Sequence, residues 1–269
     1  TSARHSPDSN ITYIQCDLSI PNTFNSTHKF DRIIHAAGPT DPKIYAQNPA
    51  GVMKTNIIGT MQILDTAIKS NAQVLFISSG EVYGNNTDHA FTEQDKCTID
   101  TRTARACYPA AKAACEALCQ SYANMHDLHI NIVRPGFVYG PNISDTSSRV
   151  NAYFLRSAIS GTNIVLNSYG NQKRTWVYVA DTASAILHVL LNAPRGEIYN
   201  IAAPQSVATI YEHACELANI TGINVEIAPN ATMATNADSV LDATKLTTLG
   251  WRAHYDLATG LKHCVLLKR

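Results

Sequence analysis

Two spacings of apolar positions organise the first half of this chain. Short apolar runs of buried-strand type occur at Ile11-Thr12-Tyr13-Ile14-Gln15, Phe30-Asp31-Arg32-Ile33-Ile34-His35, Gln73-Val74-Leu75-Phe76-Ile77 and His129-Ile130-Asn131-Ile132-Val133-Arg134. Between them lie longer stretches of helical period. From Pro49 to Asn71, one side carries Val52, Asn56, Gly59, Ile63, Ala67 and Ser70. A second helix opens at Pro109, where a missing N–H is harmless, and runs to about Met125. Gly59 in mid-helix costs about 1 kcal/mol relative to Ala, so close packing against the sheet is the expected compensation. Strands alternating with helices predict an α/β fold with a doubly wound parallel sheet.

After Ser144 the elements shorten. A helix from Arg149 to near Gly161, a short strand at Asn163–Leu166 and the segment Tyr169–Asp181 follow one another. Asp181 is the expected N-cap of the next helix, with Val189 and Leu190 on its buried side. Then come a strand at Glu197–Ala202, a helix over Ser206–Ala218 and a closing helix over Asp256–Leu266. The change of character divides the chain into residues 1–145 and 146–269, with the strand at 197–201 returning to the first part.

Composition removes several function classes. Lys plus Arg and Asp plus Glu each number 21, so the net charge is zero and no broad nucleic-acid or membrane surface is expected. No apolar run is long enough to span a bilayer. The seven cysteines have neither Cys-x-x-Cys nor Cys/His zinc spacing, so no metal site is expected. Free thiols suit a reducing, cytoplasmic location.

Candidate chemistry concentrates between Ser78 and Lys112. Ser78-Ser79-Gly80-Glu81-Val82-Tyr83-Gly84 follows a strand directly, where open α/β sheets place their ligands. Tyr108 and Lys112 are four apart and share a helix face. An ammonium beside a phenol stabilises phenolate, which makes Tyr108 a candidate general base for a hydroxyl proton, with Ser79 holding the same hydroxyl. The plain alternative is an ordinary helix in which Lys112 pairs with Glu116.

The order of these motifs resembles the extended short-chain dehydrogenase/reductase family, the nucleotide-sugar epimerases, dehydratases and decarboxylases. Further segments share the likeness: His35-Ala36-Ala37-Gly38, Asn56-Ile57-Ile58-Gly59-Thr60, Tyr139-Gly140-Pro141, Gln172-Lys173-Arg174, Tyr199-Asn200-Ile201-Ala202 and Leu249-Gly250-Trp251. The resemblance runs from about Ile11 to the end. It implies a Rossmann-like NAD-binding part over 1–145 and a mainly substrate-binding part over 146–269.

The resemblance also implies roles. Asp17 and Leu18 would contact the adenine end of NAD. Ala36, Ala37, Gly38, Asn56, Ser78, Tyr108, Lys112, Pro135 and Val138 would surround the rest of the cofactor, with Asn56 orienting the catalytic lysine or serving as a plain buried amide. His35 reads as a packed residue. Ser79, Glu81, Tyr108 and Lys112 would be catalytic. Ser79, Glu81, Phe137, Arg149 and Arg174 would face a nucleotide sugar, Arg174 as a pyrophosphate clamp and Arg149 as a second clamp or a solvated arginine. The helices over 49–71 and 109–125 would pair two copies as a homodimer.

Three departures from the family pattern matter. No Gly-x-x-Gly-x-x-Gly occurs, so either a strand, glycine-rich turn and helix precede Thr1 in the complete gene product, or this is a degenerate binding or scaffolding member. Gly80 stands where the resembled 4,6-dehydratases carry Asp. Phe137 stands where many nucleotide-sugar enzymes carry Asn. Glu81 and the Arg105-Ala106-Cys107-Tyr108 run point to a UDP-glucuronate decarboxylase-like activity; an epimerase, reductase or dehydratase is the alternative.

Overall fold

The computed structural model describes residues 8, 10–24, 28–84, 89–233 and 237–268. Its elements begin with β1 (Arg32–His35), α1 (Pro42–Gln47), α2 (Pro49–Ser70) and β2 (Gln73–Ile77). The long helix α3 (Cys107–His126) leads into β3 (Ile130–Pro135) and the short β4 (Phe137–Tyr139). Then follow α4 (Val150–Ser160), β5 (Ile164–Ser168), β6 (Lys173–Tyr178), α5 (Val179–Asn192) and β7 (Ile198–Ile201). The chain closes with β8 (Val207–Thr209), α6 (Ile210–Thr221), β9 (Val225–Thr232), α7 (Thr244–Thr248) and α8 (Leu257–Lys268).

The main sheet is parallel, in the order β1-β2-β3-β7. Helices cover both faces, as a parallel sheet requires. On one face, Leu64 and Ala67 of α2 and Cys115 and Cys119 of α3 pack on Val74, Phe76, Ile130 and Ile132. On the other, Ala185 and Val189 of α5 join Leu246 and Trp251 against Leu75, Val133 and Ile201. A second core gathers Phe154, Ile164, Trp176, Leu217 and Leu261, around the sheet β4-β6-β8 and the pair β5-β9.

Local chemistry explains the helix starts. Asp41 accepts from Lys43 N and Pro42 occupies the first turn of α1. Asn48 and Pro49 do the same for α2, and Thr209 with Glu212 forms a capping box on α6.

Four expectations are corrected. Ile11–Gln15 forms no strand; Ile11 and Ile14 are exposed, because no described neighbour supplies a ladder. The segment is instead held farther along by Gln62, whose amide donates to Leu18 O and Ile20 O and accepts from Thr23 N and Phe24 N. Gly59 faces this segment rather than the sheet: a Cβ there would stand 3.2 Å from Leu18 Cβ. Residues 207–209 pair with β6 as β8, so α6 starts only at Ile210. Asp181 is no N-cap, since α5 begins at Val179; the buried carboxylate accepts from His254 N and Tyr255 N and secures the loop before α8. Val189 and Leu190 are buried as expected.

Candidate active site

The C-terminal ends of β2 and β3 open into a cleft of about 510 Å³. Among the sequence-predicted residues, Ser78, Ser79, Glu81, Tyr108, Pro135, Phe137, Val138 and Arg149 line it. Tyr45, Arg105, Ser239 and Leu241 complete the walls. Several loops from both halves of the chain therefore meet there.

Ser79 caps a turn of 3₁₀ helix over Gly80–Tyr83, accepting from Glu81 N at 3.2 Å. Its side chain also acts on Tyr108, lowering the phenol's pKa against the larger effect of burial. Tyr108 lies in the first turn of α3 and is 6% exposed. The Glu81 carboxylate pairs with Arg105 at 2.6 Å. Gly80 stays small for a packing reason: a Cβ would stand 3.0 Å from Leu241 Cδ1 and 3.3 Å from Pro135 O.

Lys112 corrects two expectations. Its buried ammonium donates to Ile77 O at 2.8 Å, and burial lowers its pKa to about 8. It does not pair with Glu116. Nor does it lower the Tyr108 phenol, which burial and then the Glu81 charge push up to about 12. Its ammonium stands 5.9 Å from the Tyr108 ring centre and 4.9 Å from that of Phe76.

Glu116 belongs instead to a buried network. It takes a bidentate pair from Arg134, with contacts of 3.0 and 2.6 Å. Arg134 Nη1 donates to Tyr83 Oη at 2.8 Å, and Tyr83 Oη donates to Asn200 Oδ1 at 2.7 Å. This chain ties α3 to β3, β7 and the Ser79–Gly84 turn, so it fixes the helix that carries Tyr108.

Of the other predicted residues, Asp17, Leu18, Ala36, Ala37, Gly38, Asn56 and Arg174 lie outside the cleft lining. Ala36 and Ala37 are exposed and Gly38 is half-buried just beyond β1. Asn56 stands beside Gly38 and donates to Val52 O, while the Lys112 ammonium donates to Ile77 O; the buried Oδ1 of Asn56 has no partner. The Ser78 hydroxyl is also buried without one. Asp17 is exposed, its carboxyl lowered by bonds from Ser19. Arg174 is buried behind Phe137, its guanidinium 5.2 Å from the ring centre and bonded to Lys173 O and Ala237 O. Arg149 bonds twice to Thr40 O. His35 is a packed residue, bonded to Thr60 and lowered to about 4 by burial and then by Lys112.

Tyr45 escaped the sequence reading. Its ring stacks on Tyr108 at 4.9 Å and 15°, and Arg105 covers it at 4.9 Å. The Asp41-Pro42 cap signal announces its helix; which face of so short a helix is buried was not legible.

The arrangement offers a phenol, a hydroxyl and a carboxylate around one reacting position. Comparisons with known proteins give the family. The family model described as "NAD dependent epimerase/dehydratase family" matches residues 1–202. UDP-glucuronic acid decarboxylase 6 of Arabidopsis thaliana is 33% identical over 174 residues, 65% of this chain and 50% of that protein. UDP-glucuronic acid decarboxylase 5 of the same plant is 31% identical over 234 residues, 86% of this chain and 68% of that protein. The chain thus spans about half to two thirds of the length of these curated relatives. A crystal structure of UDP-glucose 4-epimerase from Thermotoga maritima, with UDP-glucose, superposes with a TM-score of 0.77 at 27% identity, covering 88% of this chain and 76% of the epimerase. This chain belongs to the NAD dependent epimerase/dehydratase family.

Proposed function

We propose that the protein is an NAD-dependent nucleotide-sugar-modifying enzyme acting by transient oxidation of a sugar hydroxyl, with UDP-glucuronate decarboxylation as its reaction. The observation that carries this is the convergence of Ser79, Glu81 and Tyr108 on one cleft, with Arg105 on Glu81.

The residues present fit one end of NAD. The unpartnered buried oxygens of Ser78 and Asn56, with the Lys112 ammonium between sheet and helix, suit a hydrogen-bonding ribose and nicotinamide. No glycine-rich turn for the pyrophosphate occurs in this sequence, and Asp17 with Leu18 would meet the adenine end. When bound, NAD⁺ supplies the hydride acceptor.

The chain's own groups do the rest. Ser79 orients the sugar hydroxyl and Tyr108 accepts its proton. Turning the Lys112 ammonium from Ile77 O towards the phenol lowers its pKa and makes it the better base. Oxidation next to the carbon that bears a carboxylate would leave a β-keto acid; CO₂ would depart with the bonding pair left behind as an enolate, which takes a proton at that carbon. Glu81 serves that later step. Arg149 and Arg174 are the cations for the nucleotide, Arg174 once Phe137 yields it, and Pro135 and Val138 wall the cofactor side. Residues 1–145 form the cofactor part and 146–269 mainly the substrate part, with β7 returning to the first, a division supported by the sheet order.

The packing at Gly80 speaks against 4,6-dehydration, since an Asp side chain would displace Leu241. Epimerisation is the second reading, favoured by the likeness to the Thermotoga epimerase. Free cysteines at all described positions suit a cytoplasmic enzyme of polysaccharide biosynthesis, assembled as a homodimer through α2 and α3. Among the described residues, no helix is long and apolar enough to cross a membrane.

The test incubates the protein with NAD⁺ and UDP-glucuronate or UDP-glucose under mass detection. Loss of CO₂ supports decarboxylation, an unchanged mass with altered stereochemistry supports epimerisation, and loss of water overturns the Gly80 argument. Tyr108→Phe keeps the ring and deletes the proton acceptor, so turnover falls by about 10²–10⁴-fold with substrate affinity little changed. Wild-type turnover in that variant refutes the site.

A further inference from the structure

The Tyr108 ring does not rest on the core of its own helix. Its small cluster is Tyr45, Val52, Cys107 and Tyr108, apart from the larger cores. Tyr45 supplies the flat contact, a near-parallel stack at 4.9 Å. The Arg105 guanidinium also lies over the Tyr45 ring, at 4.9 Å, and holds Glu81. A ring in contact with both a cation and the proposed base is 2% exposed, yet it lines the cleft.

Tyr45 itself stands on six-residue α1, too short to be stable alone. What holds α1 is reached from across the cleft. The Asp41 carboxylate, which caps α1, accepts from Ser147 Oγ at 3.0 Å, from Ser148 N at 2.8 Å and from Ser148 Oγ. Ser148 Oγ is a second acceptor for Lys43 N at 3.1 Å. Arg149 adds bonds of 3.0 and 2.9 Å to Thr40 O. The loop that leads into α4 thus clasps the start of α1, more than a hundred residues away in sequence.

We propose that Tyr45 is a positioning residue for the reaction: the Asp41 clasp to Ser147 and Ser148 presses α1 onto the cleft, and the Tyr45 ring holds the Tyr108 phenol in line with Ser79. This rests on the reading of Tyr108 as the base. It makes the seating of the proton acceptor depend on closure of the two halves over the cleft. The ring does this work and its hydroxyl does not, because the contact with Tyr108 is face to face.

The experiment compares Tyr45→Leu, Tyr45→Phe, Asp41→Ala and Tyr108→Phe in the full protein, by steady-state kinetics and by urea unfolding. A displacement of about 1 Å at a reacting group costs up to ~10²-fold, so Tyr45→Leu should lower kcat by about 10–100-fold while KM for the nucleotide sugar stays within about twofold. Tyr45→Phe should restore kcat. Asp41→Ala alters neither ring but loosens the clasp that seats α1, so it should give the same kcat loss in milder form, which keeps the test decisive if Tyr45→Leu fails to fold. Wild-type kcat in Tyr45→Leu or in Asp41→Ala, or a Tyr45→Phe as impaired as Tyr45→Leu, overturns the inference. If Tyr108→Phe is impaired while Tyr45→Leu is not, the inference alone fails; if Tyr108→Phe turns over like wild type, the reading of the base fails and takes the inference with it.

Discussion

At the scale of single residues, burial decides more than identity does. Tyr108 and Lys112 have the spacing of a base and its activating cation, yet the phenol sits at about 12 and the ammonium at about 8. Both shifts have desolvation as their first cause, and both favour the neutral side chain. His213 shows the same effect far from the cleft. It is 1% exposed, tilted against Trp176 at 4.1 Å and flanked by Tyr139 and Phe154, with Nδ1 unpartnered. Burial lowers its pKa from 6.5 to about 3. Below pH 6.5 the unfolded chain binds a proton there that the folded chain refuses, so stability is full above pH 6.5 and falls progressively down to about pH 3. His213→Phe keeps an aromatic ring in place and removes that proton. Urea unfolding from pH 7 to pH 4 should show a shallower acid loss in the variant than in wild type. Equal slopes would rule out this residue as the source.

Elements are held to one another by a few buried polar contacts. The Arg134–Glu116 pair joins β3 to α3 with both side chains under 10% exposed, at 6% and 8%. Its value lies in the orientation it imposes on α3 rather than in net stability, since a buried ion pair roughly balances its own desolvation. Removing one partner is a different matter, because it strands a charge. Glu116→Ala should destabilise by about 3–5 kcal/mol, and Glu116→Leu with Arg134→Met should recover most of that. Chemical denaturation of the three proteins measures it; a single variant as stable as wild type would show that Arg134 finds another anion. The motif residues Tyr83 and Asn200 extend the same network, so part of what looks like active-site sequence is scaffolding for α3.

For the whole molecule, the open question is what covers α2 and α3 on the side away from the sheet. Met53 is 37% exposed and Met61 41%, while Ile57, Leu118 and Tyr122 are only partly covered by the core. Exposed apolar side chains on two neighbouring helices suit an interface, and a two-fold pairing would use the same surface on both copies. Light scattering at micromolar concentration should give twice the monomer mass, and Met61→Lys should shift the population to monomer. A wild-type protein that stays monomeric throughout that range sinks the proposal.

Period and punctuation in the sequence sufficed for the main sheet, because β2 and β3 are apolar on both faces and α2 and α3 carry caps or prolines at their starts. The Ser79, Glu81 and Tyr108 cluster was legible for a related reason: a strand end and a helix start are local features, and local features place these side chains at one end of the sheet. What pairs with what was not. Ile11–Gln15 has strand composition and no partner, and Val207–Thr209 reads as helix until β6 offers it a ladder. Electrostatics followed tertiary structure too, since desolvation and partner distance are set by residues remote in sequence: Glu116 turned to Arg134 and Lys112 to Ile77 O. Tyr45 is the clearest case, for its place on Tyr108 depends on a clasp between Asp41 and Ser148, and no periodicity records a contact over that separation.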